Sequence, residues 1–315
     1  MKPMYLFVCC AMLCAGVRAN AEHTVLAAGN GKLVEVAPNG SIDWEMPWPG
    51  GLHDLHVLEN GNILTVRNAK EVVEIEKASK SVVWSYNAAE SNGNSGKAME
   101  IHAIQPLPGG QIMIAESGPG RIIEIDREGT LLKNTALKVS KPDAHRDTRL
   151  ARKLANGNYL VCHEGDGIVR EYSGDDDSVV WEFPVPLFGK EPKPGHGPEA
   201  FGNQVFSALR LNNGNTLIGT GNGHSILEVA EDKTIVWELH QNDLPGITFA
   251  WITTLEVLPN GHIVIGNCHA GPGQPQIVEI EPKTQKVMWT FDLFELLGND
   301  LTNSTLLDYA RKSIR

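Results

Sequence analysis

The sequence predicts an all-β fold: a six-bladed β-propeller of four-stranded antiparallel blades, closed by pairing of strands from the two ends of the chain. Three observations carry this. A turn motif returns at nearly even spacing, as ENGNILTV (59–66), PGGQIMIA (108–115), ANGNYLVC (155–162), NNGNTLIG (212–219) and PNGHIVIG (259–266). After each comes a second apolar-alternating pair of runs, such as VVEIEKASKSVVWSY (72–86) and ILEVAEDKTIVWEL (226–239). Within that second pair Trp44, Trp84, Trp181, Trp237 and Trp289 hold one place, with Lys133 there in the third repeat.

Each element follows from these. A Gly-containing turn between two alternating runs is a tight hairpin. Two hairpins in roughly 47 to 57 residues, judged from the turn glycines, have the period and content of a propeller blade. The N-terminal segment LVEVAPNGSIDWEM (33–46) belongs to a blade that lacks its innermost strand. Near the other end, LTNSTLLD (301–308) is similar to the first strand of a repeat and is expected to fill that gap. Closure of this kind leaves no open sheet edge. The repeated Trp is expected to pack each outer strand against the neighbouring blade.

Residues 1–21 read as a secretory signal peptide: Lys2 is the positive start, Tyr5 to Val17 the apolar stretch, and Ala19-Asn20-Ala21 the cleavage signal. Residues 22–315 then form one propeller domain, secreted or periplasmic, with no transmembrane segment in the mature chain. Removing Lys2 and Arg18 takes the 27 basic residues to 25 against 38 acidic ones, a net charge of −13. Such a surface repels phosphate backbones, so nucleic acid is not an expected partner. Cys162 and Cys268 remain, on second strands of blades that are not neighbours, and are expected to be buried free thiols.

The first strand of a blade lines the central channel, and the second runs back beside it. Seven residues before the turn stand His53, His102, Arg149, Phe206 and Thr253, and seven after it stand Arg67, Glu116, His163, Thr220 and Asn267. Both sets are expected at one end of the channel. Loops at the same end add His145, His196, His224 and His269. Convergent polar groups in a concave mouth are the usual mark of a binding site. The expected ligand is a small molecule, an anion or a glycan, with a protein partner as a further possibility. The cofactor is open. His53, His102 and His163 with Glu116 offer nitrogen and oxygen donors for a divalent metal ion.

The stretch EIEPKTQKVMW, with Glu279, Pro282, Thr284 and Trp289, is similar to the tryptophan-docking repeat of the quinoprotein-like (PQQ-like) propellers. The segments 209–229 and 53–66 resemble repeats of the arylsulfotransferase-like group within them. That resemblance implies a channel histidine as sulfate acceptor, His102 or His53, with Arg149 and Arg67 stabilising the sulfuryl oxygens. A metal-assisted lyase or hydrolase would use the same histidines. PQQ itself is not expected, because the dehydrogenases that use it are larger and carry a vicinal disulfide absent here.

Overall fold

Turn glycines and alternating apolar runs fold as the repeat demands. The computed structural model describes residues 23–315, and the expected signal peptide lies outside the described residues. Six four-stranded antiparallel sheets form the blades. Blade 2 is typical: Leu55–Val57 is innermost, followed outward by Ile63–Arg67, Glu71–Glu76 and Ser81–Asn87. Blade 1 is composite. Its three outer strands are N-terminal, and Ser304–Leu306 supplies the inner one in the register Val25↔Leu306 and Ala27↔Ser304.

Burial follows strand position. Second strands such as Ile112–Ser117 and Tyr159–His163 are buried at every residue, being flanked within their own sheet and covered by adjacent blades. Outer strands such as Ser81–Asn87 are mostly exposed. The hairpin turns need a left-handed residue, which Gly61 (φ 83°) and Gly157 (φ 89°) supply without a Cβ penalty.

Two polar devices fasten neighbouring blades, although the indole N–H of Trp289 in blade 6 is buried without a partner. The indole N–H of Trp44, Trp84, Trp181 and Trp237 donates to the carbonyls of Lys77, Arg127, Glu231 and Pro282, each on the following blade. Where the third repeat has Lys133, its ammonium donates to the Gly174 carbonyl, so a different side chain makes the same inter-blade link. Opposite each tryptophan on the third strand stands a glutamate, such as Glu74 opposite Trp84 and Glu171 opposite Trp181. Turn asparagines reach it, Asn62 to Glu74 at 2.6 Å and Asn158 to Glu171 at 2.6 Å. A cation from the next blade completes it, Arg127 on Glu74 at 2.7 Å and Arg210 on Glu171 at 2.6 Å. A carboxylate this enclosed is tolerated because both kinds of donor meet it.

Cys162 and Cys268 are free and buried, in the second strands of blades 4 and 6. Burial pushes both thiols well above their ordinary pKa, so neither is a ready nucleophile.

Candidate functional site

The inner strands begin at one end of the channel, and one residue from each blade marks that entrance. His53, Arg149, Phe206, Thr253 and Thr302 line a cavity of about 490 Å³ there. His102, the third-blade member, is 1% exposed and stands behind the wall. Its ring lies 4.6 Å from that of His53 and 5.5 Å from that of His145. The pairing register slips between Ile101 and Ala103 and again between Ile252 and Leu255. These irregularities re-aim His102 and Thr253, as bulges do beside channels and sites.

Loops complete the wall. His145, His196 and His269 line the cavity with Trp251. His196 lies tilted against the Trp251 indole at 5.0 Å and against His269 at 5.1 Å. His269 pairs with Asp300 at 3.0 Å. Burial lowers its pKa, and Asp300 opposes that shift. Arg149 is 4% exposed; its Nε donates to Glu164, its guanidinium sits 5.1 Å from the Phe206 ring, and its Nη1 has no protein acceptor. His53 Nδ1 and Thr253 Oγ1 are likewise buried without a protein partner. Burial, aided by the neighbouring His102 and Arg149, drives the His53 pKa well below its ordinary value. A second hollow of about 530 Å³ adjoins this one and shares Asp143, Arg146, Glu164 and Gln204 with it.

The other expected set lies elsewhere. Arg67 pairs with Glu71 at 2.7 Å. Glu116 accepts from Arg121 at 2.6 Å, and that arginine goes on to Asn92 and Asn94. His163 is fully buried, with Nδ1 2.7 Å from the Asp147 carbonyl and Nε2 2.8 Å from the Tyr172 hydroxyl. His224 is held between the carbonyls of Ala200 and Ala250. None of these four lines the cavity. Second strands sit one layer out from the channel, so the terminal side chains of Arg67, Glu116 and His163 meet loops and neighbouring strands rather than the lumen, although Cys268 at the end of the last second strand does reach the wall. The donor set His53, His102, His163 and Glu116 is therefore not assembled. The cluster that does assemble is Glu100, His102 and His145, whose donor atoms lie within 4.8 Å of one another.

Further along the inner strands the channel is closed by charge. Asp54 is fully buried and takes a bidentate pair from Arg152 at 2.7 and 3.1 Å, plus the Ile104 amide at 3.0 Å. Burial alone would raise its pKa, but Arg152 and His56 outweigh burial and hold the carboxyl below the usual range. Arg315 reaches the Leu55 and Ser304 carbonyls and pairs with Glu256 at 3.1 Å. The sequence reading missed this floor. Its members come from blades 2, 4 and 6 and from residue 315, with no local motif to join them.

The fold and the polar channel mouth define a closed six-bladed propeller with an open polar cavity at one end. A family model described as outer membrane protein assembly factor BamB, of the PQQ-like repeat type, matches residues 29–291, and the chain belongs to that family. No curated protein is significantly similar in sequence. Among solved structures, a protein of unknown function from Bacteroides caccae has a TM-score of 0.72 at 23% identity, covering 93% of this chain and 99% of that one. Virginiamycin B lyase from Staphylococcus aureus, solved as an inactive H270A form with quinupristin, has a TM-score of 0.53 at 14% identity, covering 87% and 86%. The WD40 propeller domain of Doa1 has a TM-score of 0.53 at 14% identity, covering 77% and 71%. At these identities the likeness is one of fold. No helix among the described residues is long and apolar enough to cross a membrane.

Proposed function

We propose that this chain is an exported binding propeller that takes a small polyhydroxylated molecule, a carbohydrate in chemical class, in the channel-mouth cavity. The observation that carries the reading is the set of buried polar atoms around that cavity without a protein partner: His53 Nδ1, Arg149 Nη1 and Thr253 Oγ1. An unmet buried polar group costs about 1–3 kcal/mol, so a ligand that meets several at once gains more than its contacts alone. Arg149 can only donate, whereas the other two can donate or accept. Hydroxyl oxygens match that mixture. Glu164 already neutralises Arg149, and His53 is uncharged near neutral pH. The wall thus offers no uncompensated cation, which favours a neutral ligand over an anion. Phe206 and Trp251 add aromatic surface to the wall beside Arg149 and His196, against which the apolar side of a sugar ring can rest.

The enzymatic alternative uses the same cavity. Sulfuryl transfer of the arylsulfotransferase kind would fall to His53, because both nitrogens of His102 already face protein oxygens. Calorimetric titration of the mature chain against a panel of mono- and oligosaccharides, with sulfate and an aryl sulfate alongside, separates the readings. Saturable sugar binding without sulfate binding is expected. Sulfate binding with no response to any sugar would overturn the carbohydrate reading.

A further inference from the structure

We propose that Glu100, His102 and His145 bind a divalent transition-metal ion, of the zinc and cobalt(II) class, at the rim of the channel mouth. Glu100 and His102 stand two residues apart on the inner strand Glu100–Pro106, and His145 comes from the loop that leads to blade 4. His102 Nε2 and His145 Nδ1 each lie 2.8 Å from the same Glu100 oxygen, Oε2. With metal–ligand bonds of about 2.0–2.2 Å, donors around one ion are separated by roughly 3 to 3.5 Å, so both contacts to Glu100 are already on that scale, and the three donor atoms, all within 4.8 Å of one another, need to draw in by about 1 Å to enclose it.

The hydrogen-bond accounting at His102 is an independent sign. Its Nδ1 is 2.7 Å from the Thr148 carbonyl, which can only accept. Nδ1 therefore carries the hydrogen, and in the neutral ring Nε2 presents a lone pair. That lone pair faces a carboxylate oxygen, a second acceptor. Two acceptors at this distance need a cation between them, a proton or a metal ion, and a metal ion bound by both satisfies them without protonating the buried ring. Donation from the far ring nitrogen to a backbone carbonyl is also how a metal-ligating imidazole is characteristically oriented.

Two imidazoles and one carboxylate favour zinc, cobalt(II) or iron(II) over calcium or magnesium, which prefer all-oxygen sites. Three protein ligands leave a coordination position open. His145 lines the cavity, so the cluster borders the ligand space. His53, whose ring meets that of His102 edge to face, flanks it. The proposal needs no organic ligand and stands apart from the carbohydrate reading.

The test uses the full mature chain without a histidine tag, stripped by chelator and titrated with zinc chloride alone. Cobalt(II) absorption then reports the ligand set. One equivalent is expected to bind. His145→Ala, at an exposed side chain (57%), and Glu100→Gln should each weaken binding by roughly a hundredfold while melting like the parent. His240→Ala, a histidine outside the cluster, should bind as the parent does. Lack of stoichiometric zinc uptake by the parent overturns the proposal. So does full-strength binding in either the His145 or the Glu100 variant.

Discussion

At the scale of single residues, the buried charges decide most. Asp54 and Arg152 form a pair in the channel floor, each under a tenth exposed. Removing one partner of such a pair leaves the other charge uncompensated, at about 3–5 kcal/mol. Arg152→Met is therefore expected to lower the urea midpoint sharply, and a midpoint within error of the parent would count against the floor as drawn. Titration adds a second expectation. Burial lowers the pKa of His163 to about 4, against an unfolded value of ~6.5. The unfolded chain therefore binds more protons between these limits, and stability falls as pH drops through that window. Melting temperature should decline from about pH 6.5 toward pH 4, before most carboxylates titrate. His163→Asn, which cannot take up that proton, should show a shallower decline, and an unchanged slope would show that His163 does not contribute.

At the scale of elements, the blade-to-blade fastenings are the testable feature. Trp237→Phe keeps a ring but removes the donor to the Pro282 carbonyl, found at 2.9 Å. A cost of about 1–2 kcal/mol is expected from chemical denaturation, the range for a lost hydrogen bond with a stranded acceptor. A change near zero would make the indole N–H incidental. The blades were legible in the sequence because turn glycines and the outer-strand Trp recur in phase. Their polar fastening was not, because Glu74 meets Arg127 across 53 positions and no local pattern joins them. The inner-strand starts His53, Arg149, Phe206 and Thr253 were legible as lumen residues, since position along a blade fixes the layer. His163 and Glu116 were misplaced for the converse reason. Counting from a turn gives the height along the axis but not the layer, and the second strand stands behind the first. Glu100 had no signal beyond its place two residues before His102.

At the scale of the whole molecule, closure and the cavity are linked. Ser304–Leu306 completes blade 1, Thr302 joins the cavity wall, and Arg315 helps close the channel below. Deleting residues 299–315 should lower the melting temperature by many degrees, since a blade loses its inner strand. A truncated chain that melts like the parent would contradict closure by these strands. The central claim is that the channel mouth holds the ligand, and one paired measurement tests it most directly. His53→Phe with Thr253→Val removes two of the unmet polar groups from the cavity wall, keeps their volume so that no core cavity forms, and leaves the buried Arg149–Glu164 pair intact. The double variant should melt near the parent and lose binding of whichever saccharide the parent takes up, by at least roughly tenfold. If it is equally stable and binds that saccharide with parental affinity, the ligand does not sit in the channel mouth and the account is contradicted.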